Sequence, residues 1–165
     1  MSKALGSASA GISTAAKWLS GFGLLVMTGI IGLQVFARYV LNDSPAWAEQ
    51  AALLLMIWYV FIAAAAGIRE GFHIRIAVFA DNLPKGPRRI VRLVAQLVVV
   101  AFGIAMVIYG IELTQETWRH VIPTLGVSRG FAYLPIALSG VMITGFATEQ
   151  LIAEIRSKEV TQQWN

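Results

Sequence analysis

The stretch Arg38–Arg75, RYVLNDSPAWAEQAALLLMIWYVFIAAAAGIREGFHIR, decides the fold. No residue from Gln50 to Ile68 is charged, and a helix of that length crosses the ~30 Å hydrocarbon core of a bilayer. The polar groups stand at the two rims of this span: Arg38, Asp43, Trp47 and Glu49 before it, and Arg69, Glu70, His73 and Arg75 after it. Chemistry or partner contacts are therefore expected at those rims.

Working outward, Trp18–Ala37 is also charge-free and opens on a tryptophan, a side chain that favours the membrane interface. The short polar turn Arg38–Pro45 makes these two spans an antiparallel pair, with Asp43 or Ser44 as cap and Pro45 suited to a first helical position. Leu93–Ile111 forms a third apolar run, and about Phe131–Ile152 a fourth, with Pro135 read in its first turn and Gly140 and Gly145 inside. The third helix is expected to continue through Glu112, Glu116 and Arg119 to Pro123, followed by a loop to Gly130. Residues 1–17, rich in Ser, Ala and Gly, read as a mobile or surface-lying tail. The first segment is expected to be a retained helix and not a removable leader, because the small residues of Gly6–Gly11 precede the apolar run instead of following it.

Between the second and third spans, Phe72, Ile76, Phe79 and Leu83 fall within one narrow arc at 100° per residue, with Glu70, Ala77 and Asp81 opposite. This predicts an amphipathic interfacial helix over about 71–83, ended by Pro84 and followed by Lys85, Arg88, Arg89 and Arg92 at headgroup depth. A short strand would leave an unpaired edge at the membrane surface.

The fold class is thus an all-α integral membrane protein, one domain over 1–165. Its spans lie at about 18–37, 47–68, 93–111 and 131–152. With 57% hydrophobic and 13% charged residues in 165, the chain has too few charges to cover a soluble domain. Lys3, Lys17, Arg69, Arg75, Lys85, Arg88, Arg89, Arg92, Arg156 and Lys158 fall on one side, and only Arg38, Arg119 and Arg129 on the other. By the positive-inside rule both termini are cytoplasmic.

Several chemistries are excluded. The absence of cysteine removes disulfides, thiolate metal sites and thiol catalysis. The net charge of +4 sits beside apolar spans, so anionic lipid, and not nucleic acid, is the expected counter-charge. No span carries a charge at its middle, where an ionisable group marks an ion or proton path, which argues against a self-sufficient pump or exporter. His73 and His120 lie on opposite sides, too far apart for axial haem ligation. Glu112, Glu116 and His120 share a helical face, but a solvated helix extension is the simpler reading than a metal site. At the same side of the membrane, Arg38 is placed to pair with Glu49, fixing that rim or docking another subunit, the alternative being that Glu49 is an exposed interfacial carboxylate with no special role.

Taken in order, Arg38-Tyr39, Trp47-Ala-Glu49, Trp58, the small run to Gly67, Arg69, His73-Ile74, Leu83-Pro84, Thr124-Leu-Gly126, Tyr133, Pro135 and Gly140 form a recognisable series. The chain so resembles the DctQ-type small membrane subunit of tripartite ATP-independent periplasmic (TRAP) transporters. It departs from that pattern at Gln50, where a second acidic residue is usual, at Ala77 for an aspartate, and at Ser128 for a proline. The resemblance implies a non-catalytic subunit of a bacterial or archaeal inner-membrane importer of organic acids. A large elevator-type subunit would carry substrate and sodium, and a periplasmic binding protein would deliver the solute. No cofactor is expected in this chain. Its interface candidates are then Arg38, Tyr39, Trp47, Glu49, Trp58, Gly67, Arg69, His73, Tyr133 and Pro135. The lipid-facing candidates are Phe72, Ile76, Phe79, Leu83, Lys85, Arg88 and Arg89. The competing reading is an anchor or assembly subunit of an electron-transfer or enzyme complex.

Overall fold

The computed structural model of the chain describes residues 2–69 and 85–162. Four long helices follow one another: α1 (Ser2–Val40), α2 (Ala46–Arg69), α3 (Lys85–Thr117) and α4 (Gly130–Gln162), with a two-stranded hairpin, β1 (Val121–Ile122) and β2 (Val127–Ser128), between the last two. All four are long and apolar enough to cross a membrane, over Ala10–Val40, Ala46–Arg69, Ile90–Thr117 and Gly130–Ile152. The predicted interfacial helix over 71–83, with His73, lies outside the described residues.

Among the described residues the helices do not close into a bundle. α1 packs along α2, α2 on α4, and α4 most extensively on α3, so they form an open row in the order α1–α2–α4–α3. Half of the apolar window of α4 is buried, against 6% of that of α1. α4 is therefore the central element, and α1 and α3 are edges. α2 and α4 run in the same direction, because Trp58 meets Phe131 near the start of α4 and Ile68 meets Gln150 near its end.

The α1–α2 contact has a regular sequence basis. Ser13, Ala16, Ser20, Gly23, Met27, Ile30, Gln34 and Ala37 are spaced alternately by three and four, and all are buried or half-buried. That is the seam of a left-handed helix pair, and its small residues let the backbones approach. Residues 2–17 belong to this helix, correcting the expectation of a mobile tail. The stretch has no proline, and Ala16 packs with Ile62 and Ala66 of α2.

The alanine run of α2 is divided by its neighbours. Ala66 faces α1, and Ala65 packs with Met106 of α3 and Ile143 of α4, whereas Ala63 and Ala64 are exposed. The α3–α4 contact is closer still. A Cβ on Gly110 would lie 2.8 Å from the Ala137 nitrogen, and one on Gly140 would lie 2.9 Å from the Gly103 carbonyl oxygen. Hydroxyls on these helices return to their own backbones, Thr114 to the Gly110 carbonyl at 2.7 Å and Thr144 to the Gly140 carbonyl at 2.8 Å. This satisfies them where no water can.

Two connections differ in detail from expectation. α3 ends at Thr117 instead of running to Pro123, and the segment beyond folds back as the hairpin with Val121 opposite Ser128 and Ile122 opposite Val127. Pro123 disfavours helical geometry at Ile122, β-branched residues flank the turn, and Gly126 takes the positive φ (+65°) that closes it. Pro135 stands inside α4, beyond its first turn, because the helix already begins at Gly130.

Candidate functional site

The sequence-selected residues fall into three groups along the row. The first is at the end that holds the α1–α2 turn. α1 stops where Asn42 adopts a left-handed φ of 53°, with the amides of Leu41 and Asp43 both donating to the Ala37 carbonyl. Asparagine tolerates that conformation better than most residues. The stop places Arg38 and Tyr39 on the last turn of α1, opposite Glu49 in the first turn of α2.

Arg38, Tyr39 and Glu49 line one groove of about 480 Å³ together with Met27, Ile31, Gln34, Val35, Ala52, Leu53 and Met56. The expected Arg38–Glu49 ion pair is not formed within 4 Å. Both side chains are exposed on the surface of the protein. Tyr39 and Trp47 are also exposed, at 78% and 42%.

The second group joins α2 to the start of α4. The Trp58 indole N–H donates to the Phe131 carbonyl at 3.2 Å, and the two rings lie 5.0 Å apart. Pro135 is fully buried one turn further on, and Tyr133 is half-buried beside it. Trp58 and Pro135, which sequence reasoning names separately, thus share one neighbour. Below them, Ser128 prepares the entry to α4: its hydroxyl donates to the Trp118 carbonyl at 2.6 Å and accepts the Gly130 N–H at 3.2 Å. A proline at this position would lack that hydroxyl.

The third group is at the opposite end. The Arg69 guanidinium lies 6.0 Å from the Phe146 ring centroid, over its face, and Gly67 is half-buried in the preceding turn. Sequence reasoning missed the neighbour that matters most here. The Gln150 amide donates to the carbonyls of Ile68 at 3.2 Å and Arg69 at 3.4 Å, and accepts from Gln96 of α3 at 3.3 Å. These are the last two carbonyls of α2 among the described residues, so a side chain from α4 reaches the end of α2 and ties in α3. The available signal was two glutamines in apolar spans, Gln96 and Gln150, where an amide must find partners.

His73, Phe72, Ile76, Phe79 and Leu83 lie outside the described residues. Lys85, Arg88 and Arg89 open α3. His120 lies beyond the end of α3, where its carbonyl accepts the Arg129 N–H at 2.7 Å, so it no longer shares the helical face of Glu112 and Glu116. Among the described residues no three His, Asp or Glu side chains gather as a metal group.

The geometry therefore offers rims, seams and edges for association, arranged around helices with no charge at mid-span. Comparison with known proteins agrees in kind. Residues 27–157 match the family described as tripartite ATP-independent periplasmic transporters, DctQ component. The chain is similar to the sialic acid TRAP transporter small permease protein SiaQ of Vibrio cholerae, 25% identical over 120 residues, which cover 73% of this chain and 69% of that one. It is 30% identical over 92 residues to the C4-dicarboxylate TRAP transporter small permease protein DctQ of Vibrio cholerae, covering 56% of this chain and 40% of that one. It also matches the sialic acid TRAP transporter permease protein SiaT of Haemophilus influenzae, 24% identical over 122 residues, covering 73% of this chain but 20% of SiaT. With four apolar helices and a family match over most of its length, the chain is a multi-pass membrane protein that belongs to the DctQ component family of the tripartite ATP-independent periplasmic transporters.

Proposed function

We propose that this chain is the small, non-catalytic subunit of a sodium-coupled importer of organic acids, and that it braces a large membrane subunit which moves the solute. The observation that carries this reading is the open row. A row with two nearly uncovered edge helices is a surface awaiting neighbours, and the matching segment makes up only a fifth of the permease SiaT. The remaining four fifths of such a permease is the kind of partner that a row of this shape suits. In lipid, close contact of small residues and satisfied polar groups hold helices together, and the row offers both.

The absence of charge at mid-span supports the division of labour, since an ionisable group within the membrane marks an ion or proton path. Relatives named for sialic acid and for C4-dicarboxylates share a carboxylate-bearing solute, which is the class proposed here. The basic residues at the chain termini and after α2 support cytoplasmic termini in an inner membrane. The α1–α2 turn and the β-hairpin then face the periplasm, where a binding protein delivers the solute.

Co-expression with the large subunit encoded beside it, followed by affinity purification and reconstitution, tests the proposal. The two proteins are expected to co-purify, with sodium-dependent uptake requiring the large one. Uptake of solute by this chain alone would overturn the assignment.

A further inference from the structure

The groove between α1 and α2 has the length and graded polarity of one lipid chain beneath its headgroup. On α1 it runs from Arg38 at the helix end to Met27. Eleven residues at 1.5 Å rise give roughly 16 Å, close to half the ~30 Å hydrocarbon thickness, or one leaflet. Its volume of about 480 Å³ suits one acyl chain, so the second chain of a phospholipid would lie in the surrounding bilayer.

Its chemistry is graded along that length. Arg38 and Glu49 stand at the mouth, Gln34 lies one turn below Arg38, and Met27, Ile31, Val35, Leu53 and Met56 line the rest. All lining residues come from α1 and α2, so the groove opens on the side of the row that α3 and α4 leave uncovered.

The two charges at the mouth select among lipids. Arg38 and Glu49 make no ion pair with each other, so each keeps its capacity for an external partner. A guanidinium binds phosphate oxygens through charge-assisted hydrogen bonds, and a carboxylate accepts an ammonium in the same way. A headgroup with phosphate and ammonium a few atoms apart complements both. An anionic headgroup complements only Arg38 and meets repulsion from Glu49.

We infer that this groove is a site for one zwitterionic aminophospholipid, with its phosphate on Arg38, its ammonium on Glu49 and an acyl chain along Met27, Ile31, Val35, Leu53 and Met56. Gln34 lies at the depth of the ester carbonyls, where its amide can donate. The bound lipid fills the groove between α1 and α2 and makes the edge of the row continuous.

The full-length chain, purified in mild detergent and exchanged into nanodiscs of equal phosphatidylethanolamine and phosphatidylglycerol, provides the test. Native mass spectrometry after release from the nanodisc reads the lipids retained per chain. One phosphatidylethanolamine is expected, in several-fold preference over phosphatidylglycerol. Arg38→Ala should lower its retention about tenfold, the scale of one lost charge-assisted contact. Glu49→Gln should keep a lipid but erase the headgroup preference. Met27→Trp, which fills the apolar end with both charges intact, should also expel the lipid, while Leu25→Ala on the exposed side of α1 should change nothing. Circular dichroism melts confirm that each variant is folded. Equal retention of both lipids by the unaltered chain overturns the proposal, as does retention indifferent to Arg38→Ala and Met27→Trp.

Discussion

Trp58 completes a hydrogen bond that Pro135 cannot make. In an α-helix the carbonyl of Phe131 would accept from the amide of residue 135, and proline has no N–H to give. The Trp58 indole supplies the donor from the neighbouring helix, so the break in α4 becomes a fastening point for α2. Trp58→Phe should keep the ring contact and lose the donor, at a cost of about 1–3 kcal/mol for a carbonyl left unsatisfied in lipid. Pro135→Ala provides the missing amide, so the penalty of Trp58→Phe should shrink in that background. Thermal unfolding of the four proteins in detergent measures the coupling, and equal penalties in both backgrounds would contradict the arrangement.

The α3–α4 contact leaves no room for a methyl group at its closest points. Gly140→Ala would press on the Gly103 carbonyl and the Val107 nitrogen, and Gly110→Ala on the Ala137 backbone. Backbone cannot swing aside as a side chain does, and a destabilisation of about 1–3 kcal/mol is expected for each. Gly145 and Gly21 have open space around them, so alanine there should be neutral or mildly stabilising, by up to about 1 kcal/mol. A melting series over these four variants separates packing from helix propensity.

Gln150 is expected to govern the end of α2. Gln150→Leu leaves the Ile68 and Arg69 carbonyls without their amide donor, and Gln150→Glu presents an acceptor where a donor is required. Both should fray the last turn of α2, with a loss of about 1–3 kcal/mol. Limited trypsin digestion at Arg69 should speed up in both variants, and an unchanged cleavage rate would argue against the cap.

Ser13 and Ser20 give a prediction of opposite sign. Both hydroxyls are buried in the α1–α2 seam without a hydrogen-bond partner. Alanine keeps the small profile and removes the unsatisfied group. Ser13→Ala and Ser20→Ala should therefore leave stability unchanged or raise it by about 1 kcal/mol, as read by the melting temperature.

The four spans were legible in the sequence because apolar length is a strong signal in a membrane protein, whereas the three-four spacing along α1 became informative only once α2 was placed against it. Ends were harder. The run after Thr117 lacks glycine and reads as helix, yet Ile122 before Pro123 and Gly126 at a positive φ favour the hairpin. The row could not be seen in advance. In spans that are apolar on every side, hydrophobicity does not say which face meets protein and which meets lipid, so the choice of α4 as centre emerges only from packing. For the same reason Gly103 and Gly110 were not singled out, and Gln150 gained meaning only when α2 was placed beside it. Arg38 and Glu49 were legible as a pair of interest, but their shared groove depends on how the side chains of α1 and α2 pack below the turn.

The row also sets an order of biogenesis. α1 and α2 are joined by a turn of a few residues, so their seam can close as soon as both have left the ribosome. The fastenings between α2 and α4 join residues 73 and 82 positions apart, and they wait for the last helix to enter the bilayer. Until then the end of α2 has no Gln150 and its middle has no Phe131. The hairpin of α1 and α2 is the first assembled piece, and α4 is the late-arriving wedge that locks it to α3.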